Sequence, residues 1–132
     1  MEKKHAILSP SAAYRWLACT PSARFEEQIP EEESAYAAEG TLAHELAALL
    51  LSARAGVFKG PQKVFNSMLD RIRTNPLYNP EMWEHCEAYV TYVMDKGGDV
   101  LIEHSYDLTK YIPLSFGTAD ATNLNKTVIH VT

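Results

Sequence analysis

Apolar residues recur at intervals of three and four through the first three quarters of the chain, the spacing of one face of an α-helix. This pattern predicts about four helices within residues 1–98. They are a segment at 10–19, a longest helix at 30–56, a segment at 62–74 and a stretch from 81 that stops at Gly97. The predicted buried face of the longest helix consists of Ala35, Ala38, Leu42, Leu46 and Leu49.

From Asp99 onward the apolar residues alternate instead, with the period of two that is typical of strands. The three predicted strands are "DVLIEHSYDL", "LSFGTADATNL" and "TVIHVT", with "NK" as a two-residue turn before the last. Consecutive strands joined by short turns favour an antiparallel meander, here 99–132. The predicted fold class is therefore α+β, with the helices first and the meander second, in a single domain of 1–132. The strand "TVIHVT" would leave an open sheet edge.

Composition and charge narrow the function classes. Apolar residues make up 46% of the chain and charged residues 22%, which excludes wholesale disorder. The net charge of −5 repels nucleic acid on average, so binding DNA would need a local basic patch or a metal that bridges to phosphate. The longest apolar run, Leu46–Leu51, is too short to span a bilayer, and no signal-peptide core follows the first lysines. We expect a cytoplasmic protein without membrane association.

Three short motifs carry the residues that a chemical site would need. "EGTLAHE" puts His44 four residues after Gly40, and glycine inside a helix costs about 1 kcal/mol relative to alanine. The helix therefore starts or bends at Gly40, or something packs closely on it. Asp120 in "FGTAD" follows three small residues, as if a large group approached the strand there. Taken alone, His44, Asp120 and the strand residue Glu103 are most simply interpreted as ordinary surface or core side chains.

Taken together and in this order, the motifs resemble the RecB-like branch of the PD-(D/E)XK nucleases. "GTLAHE" on a helix, an Ile-Glu strand, "GTAD" and a further apolar strand are similar to a phage- and prophage-encoded group related to the CRISPR-associated RecB-like exonucleases. The opening "LSPSAAYRWLACTPSA" is also similar to that group, so the resemblance covers nearly the whole chain. It implies that the α+β fold is an incomplete PD-(D/E)XK core.

The resemblance also implies a metal site and a reaction. His44 would be a metal ligand, and Asp120 would be both a metal ligand and the catalytic carboxylate. The implied cofactor is Mg²⁺ or Mn²⁺, because oxygen ligands suit both and a nitrogen ligand favours Mn²⁺. The implied reaction is metal-dependent hydrolysis of DNA phosphodiesters from an end of single-stranded or unwound DNA. Arg15, Arg24 and Arg54 are candidates for phosphate contacts, although surface arginines are more often only solvated.

The last strand departs from the family pattern. The family has Asp/Glu-x-Lys there, whereas this sequence runs "TVIHVT" to Thr132, and His130 does not replace that motif by position or by type. We therefore expect the chain to be the N-terminal portion of an exonuclease and inactive by itself. Cys19 lies where some relatives have the first of four cysteines that bind an iron–sulfur cluster. The other three are absent, so no cluster is expected.

Two other interpretations stay open. In the first, the chain is a complete, non-catalytic module of phage type that pairs through the exposed edge of "TVIHVT" with a partner's strand or with a second copy. In the second, it is a small helical domain with a meander and no site at all. Metal titration separates this last interpretation from the nuclease and from the non-catalytic module, because a ligand that binds only the folded state must stabilise it.

Overall fold

The computed structural model describes residues 6–30, 34–126 and 128–132. It confirms the α+β class, with helices first and a three-stranded antiparallel sheet of order β1-β2-β3 after them. After a 3-10 turn at Pro10–Ala12, the elements are α1 (Ala13–Ala18), α2 (Ser22–Glu26), α3 (Ala35–Arg54), α4 (Gln62–Arg73), α5 (Pro80–Asp95), β1 (Asp99–Asp107), β2 (Phe116–Leu124) and β3 (Ile129–Val131). The helix that the apolar pattern did not predict is α2, which is too short to show a periodic stripe.

The chain forms two compact units, and the boundary between them passes through β1 and β2. The N-terminal unit is Met1–Glu32 with His104–Ala119, and the central unit is Glu33–Glu103 with Asp120–Thr132. Within the N-terminal unit, the Ser115 hydroxyl donates to the carbonyl oxygen of Leu8 at 2.7 Å. All residues of the candidate site described below belong to the central unit.

The longest helix, α3, begins later than the sequence pattern predicted. The Ser34 hydroxyl accepts the N–H of Ala37 at 3.2 Å, so Ser34 caps the helix and Ala35 is its first residue. The predicted segment from 30 therefore includes non-helical backbone at Pro30 and Ser34, and its residues 31–33 lie outside the described part of the chain. The helix runs through Gly40 without starting there.

The core of the central unit lies where α3 packs against α5 and α4. Leu46 and Leu51 of α3 and Val90 of α5 are wholly excluded from solvent. The predicted buried face of α3 is correct at its three leucines, whereas Ala35 is exposed and Ala38 is half-buried. No helix in the described ranges combines the length and apolarity needed to cross a membrane.

The edge strand β3 pairs with β2 in antiparallel register, with Thr122 opposite Val131. Ile129 and Val131 of β3 expose about two thirds of their surface, at 66% and 65%. Exposed apolar side chains on an edge strand are compatible with pairing to another strand. Edge pairing to a partner or to a second copy stays a prediction.

Strand β2 is fixed to the end of α5 by one buried amide. Asn123 is fully buried, and its Nδ2 donates to the carbonyl oxygens of Val93 at 3.0 Å and Gly97 at 3.1 Å. Gly98 adopts φ of +77°, and a Cβ there would collide with the carbonyl group of Leu124. A side chain at position 98 would therefore push the strand away, and glycine permits the close approach.

We expect Asn123→Ala to lower the free energy of unfolding by about 1–3 kcal/mol, because a fully buried side chain loses its two hydrogen bonds to the carbonyl oxygens of Val93 and Gly97. Urea denaturation of parent and variant measures this difference. Asn66→Ala is the control, since Asn66 is exposed on α4 and its side chain accepts a hydrogen bond from Gln62 on the same helix at 2.9 Å. Equal losses for the two variants would contradict the role assigned to Asn123.

Candidate metal centre

Three elements of the central unit bring three possible metal ligands together. His44 lies on α3, Glu103 on β1 and Asp120 on β2, and each offers one ligand atom within 4.8 Å of the other two. His44 Nδ1 lies 3.3 Å from Asp120 Oδ2. We refer to these three residues as the acidic–histidine cluster. It contains both of the ligands predicted from the sequence, together with a carboxylate that was not predicted to be one.

Asp120 is oriented by the alternation of side chains along β2. Its neighbours Ala119 and Ala121 are buried, while the Asp120 side chain retains 44% of its exposure. Because successive side chains of a strand point to opposite faces, burying both alanines directs the carboxylate away from the side on which they lie. Of the three small residues before Asp120, Ala119 is buried, Gly117 is half-buried and Thr118 is exposed.

Glu103 reaches the cluster through an irregular backbone. Its φ is +49°, in the left-handed region that a residue with a Cβ adopts at a cost of about 1–3 kcal/mol. In a regular strand, successive side chains from Ile102 to His104 would point to opposite faces. On that basis the sequence suggested that Glu103 is an ordinary solvent-facing residue. The side chain is exposed, yet it also lies beside Asp120. The Ile-Glu motif was the sequence signal that could have identified Glu103 as a ligand. The backbone conformation of Glu103 could not be predicted from the pattern of apolar residues.

The two carboxylates affect each other electrostatically. Partial burial raises the pKa of the Glu103 carboxyl, the charge of Asp120 raises it further, and His44 opposes the increase. On α5, burial raises the pKa of the Tyr89 hydroxyl, and Asp120 and Glu103 add to that effect. The cluster is therefore a region of concentrated negative charge, which a cation would stabilise.

The donor set fits a hard divalent cation. Mg²⁺ holds oxygen ligands at about 2.1 Å in an octahedron, so neighbouring ligand atoms lie about 3 Å apart. The separation of 3.3 Å in the ion pair between His44 Nδ1 and Asp120 Oδ2 is close to that value. Ligands of one such ion lie at most about 4.2 Å apart, so the three ligand atoms, which lie within 4.8 Å of one another, would draw closer on binding. Two carboxylates suit Mg²⁺ or Mn²⁺, and the imidazole nitrogen favours Mn²⁺ of the two.

The cluster lines a cavity of about 660 Å³ whose other walls come mainly from α3 and α5. Gly40 is part of this lining, one helical turn before His44. A Cβ at Gly40 would have no atom of another part of the described chain within 4 Å. The expectation that something packs closely on Gly40 is therefore wrong for this chain, and the space beside the glycine is open.

The three arginines predicted to contact DNA each lie beside a glutamate of their own unit. The ion pairs are Arg15 with Glu26 (3.3 Å), Arg24 with Glu27 (3.1 Å) and Arg54 with Glu87 (3.1 Å). Arg54, the one of the three in the central unit, is not among the residues that line the cavity. Exposed ion pairs are worth about 0–1 kcal/mol, so a phosphate can compete for such an arginine. Their contact with DNA stays a prediction.

The fold and the cluster define a small α+β protein with a candidate divalent-metal centre at a cavity. The sequence model of a family described as "Protein of unknown function (DUF2800)" matches residues 5–132, and the chain belongs to this family. No solved structure matches the chain. The family description gives no activity, so the resemblance to RecB-like nucleases stays a prediction.

We expect Asp120→Asn to lower the pKa of Glu103 and His44→Gln to raise it, because the first removes a repelling charge and the second an attracting one. The side-chain carboxyl ¹³C shift of Glu103, followed by NMR against pH in metal-free buffer, measures both changes. Asp70→Asn on α4 is the control and should leave the titration unchanged. Glu103 titrating identically in all four proteins would contradict the described geometry.

The sign of the effect on stability follows from the raised pKa. Between the unfolded and folded pKa values of Glu103, the folded state binds more protons than the unfolded state, so stability falls as pH rises through that window. Asp120→Asn narrows the window and therefore weakens this part of the pH dependence.

Proposed function

We propose that this chain provides a divalent-metal site for the hydrolysis of DNA phosphodiesters, with His44, Glu103 and Asp120 as the ligands. The observation that carries the proposal is the convergence of two carboxylates and an imidazole, from three separate elements, within 4.8 Å of one another. Charges of the same sign repel at this distance, and a cation between them would offset the repulsion. The reaction class comes from the order of the sequence motifs, which resembles that of RecB-like nucleases.

Each ligand contributes through its own chemistry. Asp120 and Glu103 supply anionic oxygen atoms, which Mg²⁺ and Mn²⁺ prefer. His44 supplies an imidazole nitrogen that must be deprotonated to act as a ligand, so metal affinity falls at low pH. When bound, the cation offers Lewis-acid stabilisation of the charge on a phosphate group. It also gives a chain of net charge −5 a local point of attraction for DNA.

Glu103 changes one expectation about the site. The sequence lacks the Asp/Glu-x-Lys motif, whose carboxylate completes the metal site in the family that the chain resembles, and in this proposal Glu103 supplies the second carboxylate. The lysine of the family motif has no counterpart among the residues that line the cavity in the described ranges. We therefore propose metal and DNA binding by this chain in the cytoplasm, with little hydrolysis by the chain alone.

We expect Mn²⁺ to raise the melting temperature of the chain. At one hundred times its dissociation constant, a ligand that binds only the folded state adds about 2.7 kcal/mol, or roughly 10 °C for a protein of this size. Each of His44→Gln, Glu103→Gln and Asp120→Asn should lose most of this shift in differential scanning fluorimetry, because each removes one ligand.

The matched controls are His85→Gln, which changes another histidine at the same cavity, and Asp70→Asn, which changes an exposed carboxylate on α4. Both should keep the shift of the parent. A parent chain that does not respond to Mn²⁺ or Mg²⁺, or ligand variants that respond like the parent, would remove the basis of the proposed function.

We also expect the affinity for single-stranded DNA to depend on the metal. A fluorescein-labelled oligodeoxynucleotide should bind at least about tenfold more tightly in Mn²⁺ than in EDTA, a difference of about 1.4 kcal/mol. Fluorescence anisotropy measures this change, and Asp120→Asn should abolish it while Asp70→Asn, with the same net charge, preserves it. Equal affinity in Mn²⁺ and EDTA for the parent would argue against a phosphate at the cluster.

A further inference from the structure

The fold gains nothing from the hydroxyl group of Tyr89 on α5. The residue lines the cavity of the acidic–histidine cluster and is half-buried, and its hydroxyl oxygen is shielded from solvent. Among the described residues, none forms a hydrogen bond with that oxygen. A buried polar group without a partner destabilises a folded protein, so such groups are rare and call for an explanation. Phenylalanine would supply the same ring to the core without this cost.

The packing of β2 on α5 brings Tyr89 and Asp120 to the same level. The Asn123 amide binds the carbonyl oxygens of Val93 and Gly97, which anchors the strand at the end of the helix. Asp120 lies three strand residues before this anchor, or about 10 Å. Tyr89 lies six residues before the midpoint of the two carbonyls, or roughly 9 Å of helix rise. Both residues line one cavity, which places them on the same side of the anchor.

The charges of the cluster act on the Tyr89 hydroxyl. Burial raises its pKa most, the charge of Asp120 raises it further, and Glu103 adds the smallest part. Asp120 is therefore the carboxylate with the larger influence on this group. Because the pKa lies above its ordinary value of about 10, the hydroxyl keeps its proton at pH 7 and can donate a hydrogen bond.

The shielding of the hydroxyl decides between two roles. A group without contact to solvent is not placed to touch DNA, so a direct part in the reaction is disfavoured. It can act on a neighbouring carboxylate instead. A carboxylate offers about four acceptor positions, so Asp120 can bind a cation and accept a hydrogen bond at the same time. Carboxylates that bind metals are commonly oriented by such a bond from a further residue.

We propose that Tyr89 is a positioning residue of the metal site, whose hydroxyl donates a hydrogen bond to the Asp120 carboxylate when a divalent cation binds. The inference rests on the proposed function, because the acidic–histidine cluster binds the cation. The three ligand atoms lie within 4.8 Å of one another and would draw closer around one ion. In this proposal that movement completes the hydrogen bond, which holds Asp120 in the orientation that the cation requires.

The test is isothermal titration calorimetry of MnCl₂ against the whole chain and against Tyr89→Phe, which removes only the hydroxyl oxygen. The variant should bind Mn²⁺ about 10- to 100-fold more weakly, the loss expected when a residue that orients a metal ligand is removed. Tyr92→Phe is the matched control. Tyr92 is an exposed tyrosine of the same helix and is not among the residues that line the cavity, so this variant should bind like the parent.

The melting temperature in EDTA distinguishes a positioning role from a structural one. Removing a buried hydroxyl that has no partner should leave this temperature unchanged or raise it, whereas losing a structural hydrogen bond would lower it. A spectroscopic readout comes from tyrosine labelled with ¹³C at Cζ, with the Tyr89 resonance assigned by its absence from Tyr89→Phe. Saturating Mg²⁺, which is diamagnetic, should shift this resonance and leave that of Tyr92 in place.

The outcomes separate this inference from the proposed function. Weaker binding by Tyr89→Phe at an unreduced melting temperature, with the Mg²⁺-dependent shift of Tyr89 in the parent, supports the positioning role. If Mn²⁺ binds parent and variant equally, or the Tyr89 resonance does not respond to Mg²⁺, the positioning role is wrong and the metal site stands. A lowered melting temperature in EDTA would also overturn it, because the hydroxyl would then support the fold. If Mn²⁺ does not bind the parent, the proposed function fails and this inference fails with it.

Discussion

The acidic–histidine cluster of the central unit holds two like charges beside each other. Glu103 and Asp120 repel, and their side chains would separate if the backbone allowed it. Glu103 holds its carboxylate in the cluster from a left-handed backbone conformation, and buried alanines flank Asp120 on either side. Asn123, three residues further along β2, fixes that strand to the end of α5. Strain and repulsion maintained by surrounding packing are typical of functional sites rather than of ordinary surfaces.

The long helix α3 has two faces that lie in different environments. Leu42, Leu46 and Leu49 lie in the core, where close packing selects large apolar side chains. The stripe of Tyr36, Gly40 and His44 instead leaves open space and exposed polar groups. The same helix therefore supports the fold on one side and forms a wall of the cavity on the other. Glycine is unfavourable within a helix. The position of Gly40 on the face that lines the cavity leaves open space there, whereas the core face is filled by large apolar side chains.

Much of the fold was predictable because regular periodicity reflects burial. The leucines of α3 repeat at helical spacing, and the alternation after Asp99 marks the start of β1. The single-turn helix α2 was missed, because one turn contains no repeat. The start of α3 was also missed, because it depends on the local hydrogen bond that caps the helix at Ser34. For the site, no spacing rule relates His44 to Asp120, since only the tertiary fold brings them together. The resemblance to RecB-like nucleases implied that both His44 and Asp120 are metal ligands. To predict Glu103 as a ligand, its irregular φ angle would have had to be known.

The central claim is that His44, Glu103 and Asp120 bind one divalent cation. X-ray diffraction from crystals of the chain soaked in Mn²⁺, with data collected at the manganese absorption edge, tests it most directly. The account predicts an anomalous peak about 2.0–2.3 Å from an imidazole nitrogen of His44 and from carboxylate oxygens of Glu103 and Asp120. A strong manganese peak at other residues, with none at these three in a crystal that leaves the cavity open, would contradict it.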